Sequence, residues 1–411
     1  MAKIIIIGAG AAGLFAAGAA VRQGHEVTVL EHMQSPGRKL LITGKGRCNV
    51  VNHCEPDEFL KHVRRNPRFL YSALSGCPPV KVVSLFENEL GVPLKTERGR
   101  RVFPVSDRAQ DILDALLEWT HPAKVLTDTE VQALVLRDGR CCGVKLSDGR
   151  TMEAQAVLVA TGGVSYPVTG STGDGYRFAK QAGHTIVEPE PSLVSLVERG
   201  NVAKRMMGLS LRNVALTLWE GKKVRFTEMG EMVFTHFGVS GPLVLSASAH
   251  IRDLKKYDYR LTIDLKPGLT PEQLEKRVKE DFALLSNKET ANCLTKLLPA
   301  SMQPVMLDMW GVHSHKKVNQ ITREERRRLL ELMKAFPIEL KDKGDLAHAV
   351  VTSGGVSVKE VDPKTMQSKV CPGLYFAGEV LDVDAYTGGY NLGIAFATAW
   401  AAAMHWGEAS N

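Results

Sequence analysis

The 411-residue sequence is short of several things. Its seven cysteines (Cys48, Cys54, Cys77, Cys141, Cys142, Cys293 and Cys371) form no C-x-x-C pair. That spacing builds no structural zinc site and suits reduced thiols in a cytosol. The longest strongly apolar stretch, 392–404, is Ala-rich and falls short of the roughly 20 residues that cross a bilayer. The opening MAKIIIIGAG lacks the long apolar core and cleavage site of a secretory signal, so a cytoplasmic location is expected. There is no repeat, no low-complexity tract and no paired-aromatic RNA-binding signature. Aromatic residues are 6% of the chain, yet hydrophobic residues reach 44% and charged residues 24%. Those last values are globular. They exclude a disordered tail, a fibre and a small stapled domain, and the length suggests two or three domains.

Charge is unevenly placed. The net charge is +7, with 26 Lys+Arg against 19 Asp+Glu over residues 191–345 and 26 of each elsewhere. The excess is either variation on a solvated surface or a segment that meets a polyanion. The basic runs KHVRRNPR (61–68), RGRR (98–101) and REERRR (323–328) read as solvated faces. In the third, acid and base share one helix and pair with each other.

Along the chain, KIIII (3–7) suits a strand buried on both faces. GAGAAG (8–13) opens an Ala-rich helix ending near Gly24, and HEVTVLE is a second strand ending at Glu31. This is a β-α-β unit. Residues 57–90 read as partly helical, and 124–150 as short strands with turns at Asp138-Gly139 and Asp148-Gly149. AQAVLVATGG (154–163) is another buried strand, followed by a helix at 174–183. Residues 193–265 read as short strands of a small barrel or sandwich. From Pro267 to about Lys343 the pattern is helical, with Thr270 and Thr322 placed as N-caps. The α/β pattern returns near Ala347. These signs predict one nucleotide-binding domain, 1–190 with 346–411, interrupted by an insertion at 191–345. The insertion is strand-rich over 191–266 and helical over 267–345.

Gly8, Gly10 and Gly13 follow a buried strand and open a helix. Gly8 permits the tight turn, Gly10 admits a pyrophosphate to the backbone, and Gly13 lets helix and strand pack closely. The helix N-terminus offers N–H groups and partial positive charge. Glu31 is placed to accept ribose hydroxyls. At the far end, GLYFAGEVLD (373–382) and GGYNLG (388–393) resemble the second half of an FAD site in two-dinucleotide-fold flavoproteins. ATGG (160–163) resembles their middle motif. Only one complete phosphate fingerprint is present, so NADH or NADPH is expected to bind transiently.

GRKLLITGKGRCN (37–49), YPVTGSTGDGY (166–176), FTHFGVSGP (234–242), TSGGVS (352–357) and LYFAGEVLDVDAYTGGYNLGIAFATA (374–399) together resemble the BaiN/RdsA family of bacterial FAD-dependent oxidoreductases. The resemblance spans almost the whole chain. It implies an α/β fold: a split FAD-binding Rossmann-like domain with an inserted β-barrel-plus-helices domain. It implies FAD contacts at Gly8, Gly10, Ala11, Ala12, Gly13, Glu31, Lys39, Gly46, Arg47, Cys48, Asn49, Val131, Thr161, Gly162, Gly163, Gly378, Glu379, Asp382, Tyr390, Asn391, Leu392 and Gly393. Cys48 is a candidate thiol near the flavin or a small buried residue. His236 is a catalytic candidate or a structural histidine. Asn391 either bonds the flavin or caps the last helix. No metal is expected, since His313 and His315 lack a third ligand. The implied activity is NAD(P)H-driven reduction of a uridine of 23S ribosomal RNA to dihydrouridine. The alternative is a small-molecule flavin oxidase of the aminoacetone oxidase type. Large-subunit ribosomal RNA and NAD(P)H are the expected partners, with no membrane and no obligate protein partner.

Overall fold

The computed structural model describes residues 1–406. Residues 407–411, the end of the expected second part of the nucleotide-binding domain, lie outside the described residues. The chain forms two compact units, Met1–Ser192 with Leu346–Asn411, and Leu193–Asp345.

The first unit is built on a five-stranded parallel sheet. Its strands are β1 (Lys3–Ile7), β2 (Glu26–Leu30), β3 (Lys124–Leu126), β4 (Ala156–Val159) and β5 (Leu374–Phe376), in the order β5-β4-β1-β2-β3. Ile4, Ile5 and Ile6 are all fully buried. An unbroken β-branched run serves a parallel strand with both faces covered better than alternation would. Helix α1 (Ala11–Arg22) connects β1 to β2, and α2 (Tyr390–Met404) follows β5. Both helices are mostly small residues, which lets them approach the sheet closely. Phe15 of α1 meets Phe396 of α2 with ring centroids 4.7 Å apart. Strand β5 pairs with β4 from Val157↔Leu374 onward, so the chain's distant ends share one sheet.

Between β3 and β4 runs an antiparallel meander, Val131–Arg137, Arg140–Leu146 and Thr151–Glu153. Its first turn has Asp138 at φ 50° and Gly139 at φ 75°, the left-handed pair that a tight hairpin turn needs. The first unit also pairs Ile186–Ser192 antiparallel with Val351–Val356.

The second unit holds a closed antiparallel barrel of six strands: Leu196–Glu198, Gly238–Ser240, Lys223–Phe234, Ser210–Glu220, Tyr259–Asp264 and Phe336–Lys343. Helices Pro271–Leu284 and Arg323–Lys334 open with complete capping boxes at Thr270 and Thr322. One expectation is corrected here. The stretch 267–345 is not helical throughout, because Phe336–Lys343 is the strand that closes the barrel. Phe336, Ile338 and Leu340 are buried while Glu339 and Lys341 are exposed. That period of two is a strand signal, masked in the sequence by the long helix just before it. Among the described residues no single helix is long and apolar enough to cross a membrane.

Candidate functional site

The fingerprint glycines have three different surroundings. Gly8 adopts φ 104°, and a Cβ there would lie 2.6 Å from the Ala160 carbonyl oxygen. At Gly13 a Cβ would lie 1.9 Å from the Gly8 oxygen, so α1 packs on the turn only because the side chain is missing. At Gly10 a Cβ would meet nothing within 4 Å. Gly10 is the N-cap of α1 with extended backbone. The N–H groups of Ala11 and Ala12 follow it in the first turn, where helix amides lack intrahelical partners. The fingerprint is therefore packed tightly on one side and open on the other.

Glu31, just past β2, is held at the edge of this opening. Its Oε2 accepts from the Ala9 N–H at 2.8 Å and its Oε1 from the Met33 N–H at 2.9 Å. Carboxylate lone pairs remain for further donors. His32 lies between Glu31 (4.0 Å) and Asp174 (3.7 Å). The neighbouring Asp174 carboxylate raises the imidazole pKa, and His32 in turn holds Asp174 well below the usual carboxylate range.

Gly378, with φ 77°, sits where a Cβ would come within 3.0 Å of Ala12 Cβ. This close approach sets Glu379 beside the first turn of α1. Glu379 is the centre of a polar cluster. Lys39 Nζ donates to its Oε2 at 2.7 Å, and Ser165 Oγ and the Thr352 N–H donate to its Oε1 at 2.9 and 2.8 Å. Lys39 also donates to Ser165 Oγ at 2.7 Å. Thr352 Oγ1 accepts from the N–H groups of Val164 and Ser165. Thr161 Oγ1 is buried without a partner among the described residues. Gly162 has φ 72°, and a Cβ on Gly163 would strike Thr352.

The GKGRCN segment reaches the N-terminus of α2. Asn52 Nδ2 donates to the Gly388 oxygen at 3.0 Å. With its amide oriented to suit its neighbours, Asn49 donates to the Val102 oxygen at 3.2 Å and accepts from the Gly389 N–H at 3.1 Å. Gly46 has φ 83° and its oxygen accepts from the Ala109 N–H. Tyr390 packs edge-on to Phe59 and stacks on His62, and a Cβ on Gly393 would strike Phe59. Leu392 is partly buried against the same core.

Some expected residues are placed otherwise. Arg47 is committed to Glu97 and Asp107 and lies over Phe103, with 4.0 Å to the ring centroid. Its guanidinium is taken by protein groups. Cys48 is fully buried, and burial pushes its thiol up to about 12. Burial of this kind favours the neutral thiol over the thiolate. Asn391 does not cap the last helix, whose N-cap is Gly389 without a side-chain cap bond. Its amide bonds the Ala385 N–H and the oxygens of Ala385 and Tyr386, fixing the loop before α2. Val131 is buried in the meander, its oxygen accepting from Arg177. Asp382 pairs with Arg65 at 2.9 Å. His236 is exposed in the barrel unit, edge-on to Phe237. Ser165 and Thr352 were missed as site residues. Thr352 opens the quoted TSGGVS and Ser165 falls between the quoted ATGG and YPVTGSTGDGY, but only the fold brings them to Glu379. Among the described residues no group of three His, Cys, Asp or Glu could hold a metal ion.

The profile of the HI0933-like protein Rossmann domain family matches residues 2–405. The chain belongs to the HI0933-like family. Among curated relatives, the 3-dehydro-bile acid delta(4,6)-reductase of Clostridium scindens is 31% identical over 415 residues, covering 98% of each chain. The ribosomal RNA dihydrouridine synthase of Haemophilus influenzae is 31% identical over 407 residues, covering 97% of each. Among solved structures, the 3-ketosteroid delta1-dehydrogenase of Sterolibacterium denitrificans matches with a TM-score of 0.51 and 15% identity, covering 98% of this chain and 99% of its own. That likeness establishes a shared fold.

Proposed function

We propose that this chain is an FAD-dependent reductase that saturates the C5=C6 bond of a uridine in 23S ribosomal RNA. The observation that carries the cofactor is the opening at Gly10, where the fingerprint has space and nothing of the protein fills it. Glu31, which accepts from the Ala9 N–H next to that opening, keeps carboxylate lone pairs for a polar occupant. In this reading Gly8, Gly10, Ala11, Ala12 and Gly13 hold the pyrophosphate. Glu31 takes a ribose, and Glu379 with Lys39 faces the polyol chain. The Gly162-Gly163 turn and the N-terminus of α2 complete the cradle, the latter with a dipole that favours negative charge. When bound, reduced FAD supplies the hydride that uracil C6 accepts, while C5 takes a proton. The net reaction consumes one NAD(P)H and one proton for each uridine and releases NAD(P)⁺.

The substrate rests on the full-length match to a ribosomal RNA dihydrouridine synthase. Such a substrate places the activity in the cytoplasm. A second reading has equal support: the bile acid reductase is as similar over as much of the chain. Both names describe saturation of a ring double bond, so the chemistry is common and the size of the substrate differs. Deleting the gene and mapping dihydrouridine across ribosomal RNA separates them. Loss of one dihydrouridine, restored by the wild-type gene, is expected. An unchanged map together with NADPH-driven reduction of a small steroid-like enone refutes the RNA reading.

A further inference from the structure

Two basic runs that read separately as solvated faces meet on one surface of the first unit. The hairpin tip carrying Arg98 and Arg100 is anchored to the segment before helix Pro56–Lys61. The His53 N–H donates to the Arg100 oxygen at 2.7 Å, and Asn52 Nδ2 to the Gly99 oxygen at 2.9 Å. Lys61, and to a smaller extent Arg100, favour the charged form of Glu58. Glu58 in turn bonds Lys61 at 2.8 Å. Lys61, Arg68, Tyr71, Leu60 and Pro67 then line an open hollow of about 580 Å³, with Asp57 as its one carboxylate. Tyr71 is 60% exposed.

Pairing decides what this surface offers. Arg64, Arg68, Arg98 and Arg100 are exposed, and none forms an ion pair among the described residues. Nearby, Glu58 is taken by Lys61 and Glu97 by Arg47, which leaves Glu55 and Asp57. Guanidiniums on the solvent side of an aromatic hollow suit a strand of alternating phosphates and bases, since phosphate accepts their fork and any base has a face to stack. The surface also borders the α2 N-terminus. The Tyr386 N–H donates to the His62 oxygen, Arg64 lies 5.8 Å from the Tyr386 ring centroid, and His62 stacks on Tyr390. A charged rim beside that turn can hold flanking nucleotides while one base enters the site.

We infer that Arg64, Arg68, Arg98, Arg100 and Tyr71 form the docking surface for the single-stranded RNA that flanks the modified uridine, an inference resting on the ribosomal RNA reading above. Each phosphate contact on single-stranded RNA adds about 0.7 to the slope of log affinity against log salt, so four contacts add about 2.8. Between about 50 and about 200 mM salt, wild type should lose roughly 50-fold more affinity than a variant lacking the four.

The test uses full-length flavoprotein and a fluorescent oligouridine. R64Q/R68Q/R98Q/R100Q, and each adjacent pair of these changes, should show weaker binding and a flatter salt slope, in proportion to the number removed. Tyr71→Ala should lower affinity about tenfold with the slope unchanged. Flavin absorbance should match wild type throughout, which confirms folding. An unchanged slope in the quadruple variant overturns the docking surface. It does so while the RNA reading stands, provided wild type binds oligouridine and forms dihydrouridine. The surface is equally overturned if reversing Lys204, Lys222 and Lys223 in the barrel unit removes the slope instead. Wild type that neither binds oligouridine nor modifies ribosomal RNA overturns both readings together.

Discussion

Gly10 and Gly13 belong to one fingerprint but should fail in opposite ways. Replacing Gly10 by Val puts a side chain where a Cβ meets no protein atom within 4 Å. Its φ of −87° is open to any residue. The protein should therefore fold, losing only about 1 kcal/mol from a poorer N-cap. The same side chain fills the space proposed for the pyrophosphate, so FAD retention should fall below about a tenth of wild type. Gly13→Ala is the reverse. In an ordinary helix interior that change gains up to about 1 kcal/mol. Here the new Cβ would lie 1.9 Å from a backbone oxygen, and overpacking of that kind costs about 1–3 kcal/mol. A net loss of at least about 1 kcal/mol is expected before any cofactor is added. The assay is thermal melting of cofactor-stripped protein, repeated with FAD. At about 100 times its dissociation constant, FAD should stabilise wild type by about 2.7 kcal/mol and leave Gly10→Val where it was. A folded Gly10→Val protein that purifies with wild-type FAD content refutes the cradle. A stripped Gly13→Ala protein as stable as wild type refutes the packing argument.

Three further outcomes follow from the geometry. Lys39→Met strands a mostly buried Glu379 carboxylate and should cost about 2–3 kcal/mol in urea denaturation. Adding Glu379→Gln should recover part of it, and additive losses would show that the pair is not coupled. Cys48→Ala should keep flavin content and turnover within about threefold, because a thiol pushed up to about 12 takes no part as thiolate; a loss beyond about a hundredfold would restore it as a catalytic candidate. His184 has a fully buried side chain, with Nε2 2.7 Å from Ser368 Oγ and Nδ1 3.3 Å from Glu360, and desolvation lowers its pKa. Below its unfolded value near 6.5 the unfolded chain binds the proton first, so its stabilisation is present above about pH 6.5 and lost as pH falls through the lowered folded value. His184→Gln should flatten the melting temperature between about pH 7 and about pH 5, and an unchanged pH profile would count against this.

The parallel sheet was legible because its signals are local. Four consecutive isoleucines, a glycine turn, an Ala-rich helix and a terminal Glu31 all lie within one short stretch of chain. The two capping boxes are local as well, and both formed. The closing strand of the barrel was not legible. Phe336–Lys343 has only a few inward residues, and its partners are Leu196–Glu198 and Tyr259–Asp264. Nothing in the eight residues names those partners. The same limit hid Ser165 and Thr352, which reach Glu379 from residues remote in the chain. Their meeting is a property of the fold. Arg47 shows the converse. A cation in a Gly-rich loop near a nucleotide fingerprint looks available for phosphate, until Glu97 and Asp107 arrive from a neighbouring hairpin and claim it.

Charge makes the same point more sharply. Counting along the chain puts the entire +7 excess in residues 191–345. A polyanion does not meet a count; it meets cations that have no carboxylate closer than its own phosphates. In the barrel unit Arg205 pairs with Asp308, Arg225 with Glu220, and Arg327 with Glu324 and Glu331. The first unit is neutral by count, yet its acids are drawn into Lys39–Glu379, Arg65–Asp382 and Arg47–Glu97. Each such pair removes one cation with each anion, so pairing leaves the sum at zero and changes only where the remaining charges sit. Arg64, Arg68, Arg98 and Arg100 are left without an ion pair among the described residues, and a neutral unit presents a cationic face wherever such cations gather without carboxylate partners.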